Sequence, residues 1–151
     1  MWIETIFLTN TFTTFFMTGL IWYVQLVHYP SFQFIEKDIF QKFHSHHSFK
    51  TGFIVMPMMS LELATSGALA WITGWLTLNA IGFYLVILIW LSTLFFSVPK
   101  HNALKHGKVD SLIDGLVNTN WFRTILWSIK SGVSFWILDA LKKKVILVDI
   151  R

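Results

Sequence analysis

The chain has 151 residues, of which 54% are hydrophobic and only 13% are charged, and its mean hydropathy is +0.58. Soluble domains carry about a quarter charged residues, so this composition argues against an ordinary water-soluble domain. The length leaves no room for a second large domain, and the lack of cysteine excludes disulfides and thiolate metal ligands. The net charge of +4 is spread among apolar residues, which is typical of membrane-helix flanks and not of nucleic-acid binding.

The sequence contains apolar segments of the length that crosses a bilayer, which takes about 20 residues in a helix. Polar residues interrupt them, notably Asn10, Glu62 and Lys130, as in helices that pack together with their polar groups turned inward. We therefore predict an all-α integral membrane four-helix bundle that forms a single domain over residues 1–151. The predicted spans cover residues 6–29, 53–75, 76–98 and 121–141.

The connections between these spans predict how the chain is arranged in the membrane. The N-terminus has no basic region and no small-residue cleavage site, so we do not expect a signal peptide that is removed. A tight turn at Gly74 predicts an antiparallel hairpin, which leaves both termini on one face and the longer loops, 30–50 and 99–120, on the other. Within the second loop, apolar residues recur at helical spacing over 109–117, which predicts a short amphipathic helix that could act as a lid. More Lys and Arg residues lie on the loop face than on the opposite face, which orients the loop face toward the cytoplasm.

All six histidines are predicted to lie on the loop face. His28 ends the first span, His44 and His47 precede the second, and His101 follows the third. The spacing of His44 and His47 places both imidazoles on one face of a helix, where they could share one ion. Nitrogen ligands from three places in the sequence suit zinc, copper or iron, so we predict a metal site formed by these residues. The alternative interpretation is that they are interfacial histidines that bond to lipid headgroups or water.

The segment around His44 and His47 is predicted to be helical. Asp38 is expected to cap a helix that runs into the second span and bends near Pro57. On such a helix His46 should point away from the site, because adjacent residues diverge by about 100°. His106 is expected to face solvent.

Glu62 and Lys130 place a carboxylate and an amine inside predicted spans. An uncompensated ion in a bilayer costs several kcal/mol, so we predict that both side chains turn into the bundle and interact. Structural pairing would explain both residues. Alternatively, Glu62 could be a metal ligand, a proton carrier or a catalytic base.

Tryptophan is frequent in and near the spans. Trp22, Trp90 and Trp127 lie deep enough to line a pocket for an apolar or aromatic ligand, with ordinary packing as the alternative. The tryptophans near span ends are predicted to be interfacial anchors: Trp71, Trp75, Trp121 and Trp136.

Four blocks of the sequence, 19–30, 43–62, 98–104 and 120–124, resemble small four-helix bacterial membrane proteins. More distantly, the chain is similar to the anthrone-oxygenase-like family. The shared features are a His-Pro-type end to the first helix, a Val-Pro-x-x-Asn element after the third and a Trp/Arg element in the fourth.

The resemblance implies that His28, Asn102, Trp121 and Arg123 are the matching positions and that the chemistry is oxidation of a polycyclic or phenolic substrate by oxygen. It also implies a bacterial inner-membrane location. The chain departs from the family pattern because Tyr29 separates the histidine from the proline, and because the His44 and His47 pair is additional.

The interpretation that combines these features is a membrane-embedded, metal-dependent oxidoreductase or oxygenase-like protein. Asn102, Asn120 and Arg123 would orient metal ligands or substrate, because metal-bound histidine needs a partner for its other nitrogen and arginine can hold an anionic oxygen. The remaining candidates are Glu62 for catalysis, and Trp22, Trp121 and Lys130 for contact with a cofactor.

Three alternatives remain open at this stage. The first is a haem-binding bundle in which two histidines are axial ligands. The second is a small proton-coupled transporter centred on Glu62 and Lys130. The third is an accessory subunit without chemistry. The expected partners are the lipid bilayer and an apolar or aromatic small molecule, with a homo-oligomer left open and no nucleic acid.

Overall fold

The computed structural model describes the backbone of residues 2–149 and the side chains of residues 2–143. Most of this range is helical, and it contains no strand. The helices are α1 (Trp2–Tyr23), α2 (Tyr29–Ser31), α3 (Lys37–Thr73), α4 (Leu78–Ser92), α5 (Val98–Leu104) and α6 (Asp110–Asp149).

The long helices α1, α3, α4 and α6 form a four-helix bundle, as predicted. Helix α1 packs against α3 and α6, and α4 packs against the same two neighbours. Helices α1 and α6 run antiparallel, since Gln25 contacts Asn120 at one end and Asn10 contacts Lys130 nearer the other. The start of α1 and the end of α6 therefore lie at the same end of the bundle. The predicted positions of Met1 and Arg151 lie outside the described residues.

Two π-helical segments, Val24–His28 and Thr93–Ser97, interrupt the helical repeat at the other end of the bundle. Each is followed within two residues by a proline, Pro30 or Pro99. Proline lacks the N–H group of the ordinary helical repeat, and π turns commonly accommodate such disturbances near functional sites. The sequence analysis did not predict these segments, which set the direction of the side chains that follow them.

Helix α3 is continuous over 37 residues and includes Pro57 in its interior. The predicted long helix through His44 and His47 is therefore confirmed. The predicted role of Asp38 as its cap is wrong, because the helix begins at Lys37 and Asp38 lies in the first turn. The Asp38 carboxylate there still interacts favourably with the helix dipole.

Helix α6 is also continuous and covers 40 residues. The helix predicted over 109–117 is present from Asp110 onward, but it is not a short element of its own, because it forms the first turns of α6. Ile113 and Leu116 in these turns are fully buried in the bundle core. Their burial ties the segment to the bundle and removes the basis for a mobile lid. The loops predicted over 30–50 and 99–120 are shorter than expected, because helices occupy most of both ranges.

The hairpin between α3 and α4 is confirmed. Gly74 adopts a φ of 97°, a left-handed conformation that favours glycine, and the Thr77 hydroxyl then caps α4 by accepting a hydrogen bond from the Ala80 N–H. The two helices pack so closely that a Cβ atom added to Gly67 would lie 3.3 Å from the Phe83 ring.

The bundle exposes many large apolar side chains and buries polar side chains along with apolar ones. Among the described residues, two helical stretches, Lys37–Thr73 and Leu78–Leu104, are long and apolar enough to cross a membrane. Large hydrophobic side chains such as Phe53, Phe95 and Trp136 are exposed on the surface. The buried polar residues include Asn10, Thr14, Gln25, His44, Glu62, Asn120, Arg123 and Lys130.

Candidate functional site

Four histidine rings meet at the end of the bundle where the π-helical segments lie, and we call this group the histidine cluster: His28, His44, His47 and His101. The Nε2 atom of His28 lies 2.7 Å from Nδ1 of His47, and Nε2 of His44 lies 3.1 Å from Nδ1 of His101. The two pairs adjoin, since the ring centroids of His47 and His101 are 6.0 Å apart. The predicted convergence is confirmed.

The cluster is assembled from three helical elements. His44 and His47 share one face of α3, His28 ends the first π-helical segment, and His101 lies in α5. His46 is exposed, as predicted from its position on α3, and so is His106. Helical geometry places His44 and His47 together, and the packing of the elements brings His28 and His101 to them.

Phe32 is the aromatic centre against which the cluster packs. Its side chain is fully buried, and its ring meets the rings of His28 and His47 edge-on at 5.2 Å and 5.1 Å between centroids. The ring of His44 also meets it edge-on, at 5.9 Å. Because a close-packed aromatic ring restricts its neighbours, Phe32 limits the orientations available to three of the histidines.

The ring contacts restrict where protons can sit. When two ring nitrogens form a hydrogen bond, one carries the proton and the other accepts it through its lone pair. In each histidine pair, one ring is therefore the donor and the other the acceptor. On His47, Nδ1 also lies 3.0 Å from the Thr51 hydroxyl. His44 Nδ1 is buried and has no hydrogen-bond partner among the described residues.

The spacing of the nitrogens bears on metal binding. Tetrahedral zinc with bonds of about 2.0–2.1 Å sets its ligand nitrogens about 3.3 Å apart. His28 Nε2 lies 3.4 Å from Nε2 of His47, close to this value, as is the 3.1 Å contact between His44 and His101. Within the part of the chain that the structure describes, however, no group of three or more His, Asp or Glu residues has the arrangement of a preformed metal site. Imidazole is a suitable donor for zinc, copper or iron, but the four rings as they stand do not form such a group.

A polar network anchors His101 to helix α6. The Tyr29 hydroxyl lies 3.0 Å from His101 Nε2 and accepts a hydrogen bond of 3.4 Å from the Arg123 guanidinium. Arg123 also donates to the side-chain oxygen of Asn120. The side-chain nitrogen of Asn120 in turn donates to the side-chain oxygen of Gln25 at 2.8 Å. Asn120 is fully buried within this network, and its role as an orienting residue stays a prediction. Sequence reasoning did not assign a role to Tyr29, although its insertion between His28 and Pro30 was the visible signal.

An apolar cavity of about 230 Å³ adjoins the cluster. His47 and His101 line one part of it, Trp127 lines another, and Arg123 contributes to its wall. The rest of the interior is mainly apolar and includes Met17, Leu20, Ile21 and Val55. Its exposed lining residues come from α3 and α5 and mark an opening between these helices: Met56, Val98, Asn102 and Lys105.

Glu62 and Lys130 form a buried ion pair, which confirms the predicted interaction. Their Oε1 and Nζ atoms are 3.0 Å apart. The Thr14 hydroxyl donates to Glu62 Oε1 at 2.9 Å and accepts a hydrogen bond from Lys130, while Asn10 accepts a second one at 3.4 Å. Trp127 donates from its indole nitrogen to Glu62 Oε2 at 3.0 Å. Trp127 therefore contacts both the cavity and the ion pair.

Of the other predicted site residues, Trp22 and Trp121 lie away from the cluster, and Asn102 lies near it at the cavity opening. Trp22 and Trp121 pack edge to face at 5.8 Å on the outside of the bundle, where Trp22 donates to Ser128. Neither lines the cavity, whose tryptophan is Trp127. Asn102 is at the cavity opening, where it accepts a hydrogen bond of 2.8 Å from Lys105.

These features define an all-helical bundle with a histidine cluster, an adjoining apolar cavity and a separate buried ion pair. Comparisons of the chain with known protein families, with curated proteins and with solved structures give no match. The site itself therefore carries the functional argument.

Proposed function

We propose that this chain is an integral membrane protein whose histidine cluster binds a transition metal and oxidises an apolar small molecule in the adjoining cavity. The observation that carries the proposal is the meeting of imidazole nitrogens from three helical elements beside that cavity. Imidazole is a preferred ligand for iron, copper and zinc, and the first two are redox-active. When bound, iron or copper would supply electron transfer and activation of oxygen.

The surface of the bundle supports the membrane location. Only 28% of the most apolar window of α3 and 22% of that of the α4–α5 stretch is buried within the bundle. A core helix of a soluble protein would bury most of such a window, whereas a membrane helix exposes it to lipid. The excess of Lys and Arg at the histidine end favours a cytoplasmic orientation of the cluster in a bacterial inner membrane.

The hydrogen-bond partners of the cluster indicate which nitrogens would bind the metal. Thr51 contacts His47 Nδ1 and Tyr29 contacts His101 Nε2. Metal-bound histidine usually bonds through its other nitrogen to such a partner, which fixes the ring orientation. The metal would then be held by Nε2 of His28, His44 and His47 and by Nδ1 of His101.

In the two contacting histidine pairs, the ring nitrogens lie too close together to hold haem between them. Two axial nitrogens on opposite sides of a porphyrin lie about 4 Å apart, twice a metal–nitrogen bond of about 2.0 Å. The nearest nitrogens of the two histidine pairs are 2.7 Å and 3.1 Å apart, so neither pair leaves a porphyrin-sized gap.

Glu62 and Lys130 are fully bonded to each other and to their neighbours, which favours a structural role for the pair over proton-coupled transport.

The test is elemental analysis of the purified protein, together with its absorption spectrum. Wild-type protein loaded separately with iron, copper or zinc should retain one of these metals in stoichiometric amount, and His44→Ala and His101→Ala should lose most of it. His46→Ala is the matched control, because His46 lies on the same helix but is exposed, and it should retain the metal. Metal-free wild-type protein after loading, or equal loss in the control, would contradict the proposal. A porphyrin absorption band would replace the proposed ion by haem.

A further inference from the structure

Arg123 is a buried cation without a counter-ion. Its side chain is 5% exposed, and its guanidinium donates to neutral oxygens of Tyr29, Thr93 and Asn120. Among the ion pairs of the described residues, none involves Arg123. Lys130, on the same helix, is neutralised by Glu62. The fold therefore compensates one buried cation of α6 and leaves the other uncompensated, which is unfavourable in apolar surroundings.

The uncompensated charge faces the cavity. Arg123 lines the cavity, and its Nε atom is buried without a hydrogen-bond partner among the described residues. The Ser48 hydroxyl, which lines the same cavity from α3, is also buried without a partner. Buried polar groups are almost always hydrogen bonded, so the polar part of this wall is incompletely satisfied. Together with the uncompensated charge of Arg123, this points to an anionic ligand in the cavity.

The lining of the cavity specifies the rest of that ligand. Met17, Leu20, Ile21 and Val55 provide an apolar interior, which an inorganic anion would not match. At the opening, the apolar Met56 and Val98 lie beside the polar Asn102 and Lys105. Such an opening suits a molecule with an apolar body and one charged group.

We propose that the cavity binds an amphipathic organic monoanion, with one anionic oxygen beside the Arg123 guanidinium supplying its counter-charge. The apolar body of the ligand lies against the interior of the cavity. As a statement about the substrate, this rests on the proposed oxidoreductase function, whereas the anion contact itself needs no metal. Through Tyr29, which contacts both Arg123 and His101, the anionic group is held next to the histidine cluster.

The test compares two probes of nearly equal shape, 2-naphthoate and the neutral 2-naphthalenemethanol. Binding is measured by equilibrium dialysis at neutral pH, with chelator-treated protein in nanodiscs of zwitterionic lipid. Wild-type protein should bind the carboxylate at least about ten-fold more tightly than the alcohol, as expected for one charge-assisted hydrogen bond. Empty nanodiscs provide the correction for partition into lipid.

The variants locate the source of the preference. Arg123→Gln should bind the two probes within about two-fold of each other, because its amide carries no charge. Lys42→Gln, which removes an exposed cation of α3 that does not line the cavity, should keep the preference. Arg123→Lys should keep part of it, because the positive charge remains.

Three results would overturn the inference: equal affinities in wild-type protein, a preference that persists in Arg123→Gln, or displacement of the probe by chloride alone at physiological concentration. If Arg123→Gln fails to fold, the wild-type comparison and Arg123→Lys still decide. Because binding is measured without metal, a carboxylate preference in a protein that never retains metal would sustain this inference while the proposed function fails. If the protein retains stoichiometric metal but binds both probes equally, the proposed function stands and this inference fails.

Discussion

Lys130 and Glu62 lie 68 residues apart in the sequence and 3.0 Å apart in the bundle, with each side chain 1% exposed. The Thr14 hydroxyl contacts both, so helices α1, α3 and α6 meet at this pair. The two residues depend on each other, because removing either one leaves the other charge buried without a partner. The pair therefore links three helices of the bundle.

Breaking the ion pair should destabilise the protein strongly. We expect Lys130→Met to cost roughly 3–5 kcal/mol, the range for a buried pair that loses one partner. The double variant Glu62→Gln/Lys130→Met should recover part of this loss, because no uncompensated charge remains. Unfolding in detergent of both single variants and the double variant measures the coupling. Lys143→Met, which removes a partner from the exposed pair with Asp139, is the control and should have little effect. Strictly additive losses would show that the pair does not interact.

The indole nitrogen of Trp127 should contribute through its bond to Glu62. Trp127→Phe removes the donor while keeping most of the aromatic ring, and we expect a loss of about 1.5–3 kcal/mol, as for a hydrogen bond to a charged group. Trp22→Phe is the matched control, since it removes a bond to Ser128 at the bundle surface. The two variants are compared by unfolding in the same detergent. Equal losses of unfolding free energy in the two variants would show that the bond to Glu62 stabilises the protein no more than the surface bond to Ser128.

Phe32 should be essential for the histidine cluster. We expect Phe32→Ala to lower the unfolding free energy by about 3–5 kcal/mol, as for other buried aromatic truncations. The same change should weaken metal binding, because His28, His44 and His47 lose the ring against which they pack. Phe34→Ala, two residues away and 85% exposed, should alter neither quantity much. A normal metal affinity in folded Phe32→Ala would show that Phe32 does not position the cluster.

The Tyr29 hydroxyl should tune the metal site without holding the metal. Tyr29→Phe keeps the buried ring and removes the contacts with His101 and Arg123. Loss of a residue that supports a metal ligand typically lowers metal affinity by about 10–100-fold, so we expect a fall of this size in a competition titration with a chelator. Tyr84→Phe removes an exposed hydroxyl on α4 and serves as the control. Unchanged affinity in Tyr29→Phe would remove Tyr29 from the site.

Helical periodicity was sufficient to predict much of the cluster. His44 and His47 stand one turn apart on α3, so a helix must place them on one face. The same reasoning failed at the ends of helices. The local pattern predicted a helix over 109–117, but packing joins it to α6, because Ile113 and Leu116 are fully buried in the bundle core.

The sequence by itself determined the apolar helices, the hairpin at Gly74, the end of the bundle that carries the histidines and the pairing of Glu62 with Lys130. These features follow from local periodicity and from the cost of an isolated charge among apolar residues, both of which can be read along the chain. Only the tertiary structure decided that Tyr29 and Arg123 adjoin the cluster and that Trp22 lies outside the cavity. Two π-helical segments rotate the side chains that follow them, and the contact of Tyr29 with Arg123 spans 94 residues. Such relations depend on how whole helices pack, which no local pattern specifies.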